Sequence, residues 1–192
     1  MYLTLIPTKL KGGVTIKGDA STIRKVERLL ARTAIESHAC DDDGLCMTLS
    51  RYFEKNGCTV DWITLIAGVA ALRGSLGYRL NKENHALMCV LEFEVCEVLC
   101  KTMDHLDRSL IEQVLNSLHN LNDRIGGEKV ESRMVYLYLL KTAEARQAEL
   151  LKIIKSVSPS YQNLDSDYVK RFEGLRREHL SYKAGTEFEY TL

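Results

Sequence analysis

The sequence predicts a mainly α-helical protein, built as a single domain of about seven helices with a small antiparallel sheet. Apolar residues recur at helical spacing along most of the 192 residues, and the chain contains only two prolines. Residues 1–17 instead show the pattern of a β-hairpin, residues 19–180 form the predicted helical body, and residues 186–192 are a candidate strand. No interdomain linker is visible, so the whole chain, residues 1–192, is expected to form one domain.

The composition is typical of a globular protein and excludes some partners. Hydrophobic residues make up 45% and charged residues 27% of the chain. Because basic and acidic residues number 26 each, a broadly basic nucleic-acid-binding surface is not expected. The longest apolar stretch is far shorter than the ~20 residues that span a bilayer, and the first residues lack the pattern of a signal peptide. These features predict a cytoplasmic protein without a membrane partner.

The predicted hairpin has strands near Tyr2–Ile6 and Val14–Lys17, with Pro7 and the pair Gly12-Gly13 between them. Two strands alone are marginally stable in water, so they need a third strand or a helical support. Residues 186–192 alternate polar and apolar side chains and are our candidate for that third strand.

The helical body is divided by caps, glycines and charged turns. The predicted helices cover residues 19–38, 45–55, 61–77, 82–105, 107–125 and 128–156, and a last helix begins at Asp165. In this interpretation Gly126-Gly127 ends the fifth helix, and the sixth is the longest.

The helix at residues 61–77 is predicted to lie at the centre of the fold. Asp61 can cap its start, and Gly77 can end it in a left-handed conformation. No charged side chain occurs from Trp62 to Leu72, which indicates burial on nearly every side. Small residues such as Gly68 would let a neighbouring helix approach closely.

Arg73 is the exception, because its guanidinium falls within the apolar stripe of this helix. Glu92 occupies the corresponding place in the next helix, and a short connection makes the two helices antiparallel neighbours. We therefore expect a buried Arg73–Glu92 ion pair, in which loss of one partner would cost ~3–5 kcal/mol. Arg146 is the competing partner for Glu92, and a structural role for the pair is favoured over a catalytic one.

Six cysteines are present without a disulfide framework or a CxxC pair, which predicts reduced thiols. His85, Cys89, Glu92 and Cys96 share one sector of a helix, and His85 belongs with Arg73, Glu92 and Arg146 to the candidate pocket or buried polar cluster. Since all four sector residues come from one helix, no metal site is predicted. No phosphate-binding or dinucleotide-binding motif occurs, so no cofactor is predicted.

Several segments together resemble a known family. They are Leu3-Thr-Leu-Ile-Pro-Thr8, Gly13-Val-Thr-Ile-Lys-Gly-Asp19, Val60-Asp-Trp62, Leu72-Arg-Gly-Ser-Leu-Gly-Tyr78 and Leu91-Glu92. This pattern is similar to a bacterial family of unknown function in which a short β-hairpin leads into a helical body. The resemblance covers mostly residues 1–100, and the cysteine-rich segment Cys89–Cys100 departs from it. It implies the fold and the importance of Trp62, Arg73 and Glu92, but no activity.

Two functional hypotheses follow, and a third ranks last. The absence of catalytic motifs and the balanced charge favour a non-enzymatic interaction or regulatory protein that binds itself, as a homodimer, or another protein. The alternative is a small-molecule-binding protein or enzyme, with Arg73 contacting an anionic group and His85 or Glu92 moving a proton. Nucleic-acid binding through the basic C-terminal helix is the third. A deep pocket that reaches Arg73 would favour the alternative over the first hypothesis.

Overall fold

The computed structural model describes residues 2–36, 44–75, 81–118, 121, 123–161 and 169–175. The protein is mainly α-helical, with a small three-stranded sheet, as the sequence predicts. The elements are β1 (Leu3–Pro7), β2 (Gly13–Gly18), α1 (Ala20–Glu36), α2 (Leu45–Tyr52), β3 (Thr59–Asp61), α3 (Trp62–Ser75), α4 (Lys82–Thr102), α5 (Arg108–Asn116), α6 (Asp123–Leu139) and α7 (Ala143–Val157).

The sheet is antiparallel, with strand order β1-β2-β3, and its third strand is one that the sequence did not predict. Three residues are too few to show an alternating pattern, so β3 is recognisable only from its pairing with β2. Gly13 is required for this pairing, because a Cβ there would lie 2.1 Å from the carbonyl oxygen of Val60. The candidate strand at residues 186–192 lies outside the described residues.

Helix α3 is buried throughout from Trp62 to Leu72, which confirms the prediction from its lack of charge. It packs against α1, α2, α4, α6 and α7 and against strands β2 and β3. Asp61 caps its start by accepting hydrogen bonds from the backbone N–H groups of Ile63 and Thr64, both at 2.9 Å. The Trp62 indole N–H donates to the carbonyl of Lys11 at 3.0 Å and thereby ties this helix to the hairpin turn.

The prediction of one long helix at residues 128–156 is wrong, because two helices, α6 and α7, cover this range. Thr142 divides them: its hydroxyl oxygen accepts a hydrogen bond from the backbone N–H of Ala145 and caps α7. The apolar pattern continues across the break, so periodicity alone does not reveal it. Gly126-Gly127 also lies inside α6 and does not end the preceding helix, since α5 ends at Asn116. Packing of α6 on α3 and α7 overrides the low helix propensity of glycine.

Residues 169–175 pack on α6 through Phe172, which is buried. The Arg133 guanidinium carbon lies 4.4 Å from the centre of the Phe172 ring, and the Tyr136 ring meets it edge-on at 5.0 Å. The helix expected from Asp165 begins outside the described residues, and within 169–175 only residues 169 and 170 are helical.

Candidate functional site

A cleft with a cavity volume of about 310 Å³ lies where α3, α4 and α5 meet. This volume is at the lower end of the roughly 300–1,000 Å³ that small-molecule sites occupy. Helix α3 contributes its last buried turns, α4 contributes the side that carries Glu92, and α5 closes the third side. The apolar wall includes Ile66, Val69, Ala70, Val95, Leu115 and Leu118.

Arg73 and Glu92 line this cleft and form a two-point ion pair. The Nε group of Arg73 donates to Oε1 of Glu92 at 2.7 Å, and Nη2 donates to Oε2 at 2.9 Å. The side chains are 37% and 21% exposed, respectively, so the expectation of a fully buried pair is wrong. The last turn of α3 emerges from the core at the cleft, which leaves the guanidinium in contact with solvent.

A second guanidinium, Arg108 at the start of α5, also lines the cleft. Its Nε group donates to Oε1 of Glu112 at 2.8 Å, and Nη1 donates to Oε1 of Glu97 on α4. These hydrogen bonds raise the pKa of Arg108. Arg108 was not among the site residues predicted from the sequence, although an Arg and a Glu four positions apart on a helix signal such a pair.

Among the described residues, the two guanidiniums pair with three carboxylates. Arg73 binds Glu92, while Arg108 binds both Glu97 and Glu112. Each guanidinium retains one nitrogen, Nη1 of Arg73 and Nη2 of Arg108, that donates no hydrogen bond in the part of the chain described. The cleft therefore combines paired guanidiniums with two donor nitrogens that have no hydrogen-bond partner among the described residues.

Two cysteines of α4 line the cleft and differ in their surroundings. Burial, with a smaller contribution from the neighbouring Cys100, raises the pKa of Cys96 to about 11. The Cys96 thiol is therefore protonated at neutral pH. Cys89 is exposed, and its Sγ atom lies 3.6 Å from Nε2 of His85.

His85 is the candidate residue that lies beside the cleft without lining it. It occupies α4 one turn before Cys89, is exposed, and reaches the cleft through the thiol of that cysteine.

Arg146 lies elsewhere, and the expectation that it competes for Glu92 is wrong. Its Nε group donates to the carbonyl of Leu140 at 2.8 Å, and Nη1 donates to the carbonyl of Leu10 at 3.4 Å. It is 2% exposed, and this burial lowers its pKa. Arg146 thus links the start of α7 to the end of α6 and to the hairpin loop.

Two kinds of site are absent from the described residues. No group of three or more His, Cys, Asp or Glu side chains is placed to hold a metal ion. None of the described helices has the length and apolar character needed to cross a membrane.

Comparison with known proteins gave no match to a family model, a curated protein or a solved structure. The resemblance to a bacterial family therefore stays a prediction that depends on the residues quoted for it.

Proposed function

We propose that the protein binds a small, neutral and mainly apolar molecule that carries a carbonyl-type acceptor, in the cleft between α3, α4 and α5. The observation that carries this proposal is the cavity of about 310 Å³, with an apolar wall and the two guanidiniums of Arg73 and Arg108 at its side. It follows the alternative hypothesis from the sequence, because the cleft reaches Arg73.

The charges favour a neutral ligand over the anion first expected at Arg73. An anionic group would have to compete with Glu92 for Arg73 and with Glu97 and Glu112 for Arg108, because both guanidiniums are already paired with carboxylates. A cation would find these carboxylates paired with guanidiniums. A neutral carbonyl oxygen can instead accept from Nη1 of Arg73 or Nη2 of Arg108 without displacing either pair, since hydrogen bonds from charged donors are strong.

Calorimetric titration with two probes of the same apolar body tests the proposal. Benzylacetone is neutral and carries a ketone, whereas hydrocinnamate carries a carboxylate. We expect benzylacetone to bind and hydrocinnamate to bind at least about tenfold more weakly, a difference of ~1.4 kcal/mol. Tighter binding of hydrocinnamate would contradict the preference for a neutral ligand.

A pair of variants locates the binding. Leu115 is half-buried and lines the cleft, so Leu115→Trp should fill the cavity and abolish benzylacetone binding. Leu151 on α7 is also half-buried but does not line the cleft, so Leu151→Trp is the matched control. Unchanged binding in Leu115→Trp, with the fold intact by circular dichroism, would contradict the assignment of the cleft.

Self-association, the function favoured by the sequence, is a second candidate. Tyr2 and Ile6 are 59% and 40% exposed, Ile6 on β1 and Tyr2 directly before it. Strand β1 is an edge of the sheet that the described residues form. Apolar residues on an edge strand favour pairing with another chain. Sedimentation analysis should then detect a dimer that Ile6→Lys dissociates, while a monomer at all concentrations would exclude this candidate.

A further inference from the structure

The cysteines of this protein differ in how readily a reagent can reach them. Five are described and all five are free. Cys46 and Cys96 are buried, Cys58 and Cys100 are half-buried, and Cys89 alone among the five is exposed. Because Cys89 also lines the cleft, a molecule held there meets this thiol.

The thiol of Cys89 has a base within reach. His85 precedes it by four residues, a spacing that places two side chains on the same side of a helix. The distance from Sγ of Cys89 to Nε2 of His85 is 3.6 Å, so the thiol can donate its hydrogen to an unprotonated Nε2. Since the thiolate is the nucleophilic form of cysteine, an adjacent imidazole that takes the proton activates it.

We propose that Cys89 adds covalently to α,β-unsaturated ketones that enter the cleft, with His85 as the base. This inference rests on the proposed function, because the cleft must first hold the neutral carbonyl compound. It names the class of ligand more narrowly, as conjugated carbonyl compounds with an apolar body.

The addition is balanced without an oxidant, a reductant or a leaving group. The Cys89 proton passes to Nε2 of His85, and Sγ forms a bond to the β-carbon of the ketone. The electron pair of the carbon–carbon double bond moves to the carbonyl oxygen, where a donor edge of Arg73 or Arg108 stabilises the enolate. His85 then returns the proton to the α-carbon. The product is a thioether with the full mass of both reactants.

Intact-protein mass spectrometry with benzylideneacetone, the conjugated analogue of benzylacetone, measures this reaction directly. We expect an adduct at Cys89 that forms faster than an adduct at any of the other four described cysteines, with Cys58 as the direct comparison. Cys89→Ser should abolish it, and Cys58→Ser should leave its rate unchanged. Equal reaction of Cys58 and Cys89 would overturn the proposal.

His85→Gln tests the base, since glutamine keeps a hydrogen-bonding side chain but takes no proton. General bases typically contribute 10²–10⁴-fold to the rate of a reaction. We therefore expect the rate of adduct formation to fall by roughly tenfold or more in this variant. His85 is exposed, so the variant is expected to fold as the parent does. An unchanged rate in His85→Gln would overturn the role of the imidazole.

Benzylacetone separates this inference from the proposed function, because it fits the cleft but cannot be attacked. It should slow labelling of Cys89 by benzylideneacetone in proportion to its occupancy. Calorimetric binding of benzylacetone without an adduct at Cys89 would overturn the inference and leave the proposed function standing. If benzylacetone does not slow the labelling of Cys89, addition within the cleft is wrong. If calorimetry detects no binding of benzylacetone, the proposed function itself is wrong.

Discussion

Asp19 joins the hairpin to the first helix through its carboxylate. Oδ1 accepts from the backbone N–H of Thr22 at 2.9 Å, and Oδ2 accepts from the hydroxyl of Thr22 and from the backbone N–H of Tyr2, both at 2.7 Å. These hydrogen bonds lower the pKa of Asp19 from 3.8 to about 2, and the bond from the Thr22 hydroxyl has the largest effect. The ionised carboxylate therefore stabilises the folded state.

Acid should remove this contribution within a defined window. Because the folded-state pKa is below the unfolded one, the unfolded state binds more protons between them, and stability rises with pH there. The contribution is complete above about pH 4 and lost as pH falls towards about 2, the pKa of the folded state. Urea unfolding should show a smaller loss in this window for Asp19→Asn, which still caps the helix. Asp104→Asn controls for net charge, and parallel losses in Asp19→Asn and the parent protein would contradict the prediction.

The Arg73–Glu92 pair should contribute less than a buried pair, because solvent screens it. With the side chains 37% and 21% exposed, we expect Arg73→Met or Glu92→Gln to cost about 1 kcal/mol each, not the ~3–5 kcal/mol of a buried pair. The double variant should cost less than the sum of the two, and the coupling should weaken with added salt. Chemical unfolding of all four proteins measures this cycle. Strictly additive losses would contradict a direct interaction.

At the scale of elements, α2 and α3 lie close together at Gly68. A Cβ at this position would lie 2.7 Å from Cδ2 and 2.8 Å from Cβ of Leu49. The contact leaves no room for a methyl group at position 68. The sequence predicts that a small residue here permits close approach of a neighbouring helix, and the packing of α2 on α3 requires one.

Two glycine-to-alanine substitutions should therefore have opposite effects. Gly68→Ala should lower the free energy of unfolding by ~1–3 kcal/mol, because it overpacks the contact with Leu49. Gly127→Ala in α6 should raise it by ~0.5–1 kcal/mol, since a Cβ there meets nothing within 4 Å and alanine favours the helix. Thermal and urea unfolding measure both. A stabilised Gly68→Ala variant would show that α2 and α3 pack more loosely than described.

In the molecule as a whole, the buried residues of the sheet and of the helices form one continuous hydrophobic cluster. Helix α3 lies within it, since its neighbours include five helices and two strands. The sheet covers one end of this helix, and the cleft opens near the other, where Arg73 emerges.

Hydrogen exchange should reflect this arrangement. The backbone amides of α3 from Leu65 to Leu72 should be among the slowest to exchange, because opening them requires much of the core to separate. Helix α5 is short and buries only Ile111 and Val114, so its amides should exchange faster and serve as the internal comparison. Mass spectrometry of peptic fragments resolves both helices. Exchange of α3 as fast as that of α5 would contradict its central place.

The sequence by itself determined the burial of α3 and the partnership of Arg73 with Glu92. A charge-free stretch has to avoid water, and opposite charges at corresponding places on neighbouring antiparallel helices lie within reach of each other. Only the tertiary structure decided that β3 completes the sheet, that Thr142 divides α6 from α7, and that α5 brings Arg108 to the cleft. The periodicity of a sequence shows which side of one element is apolar. It does not show which other elements pack against that side, and this packing decides where a three-residue strand, a helix break or a cleft forms.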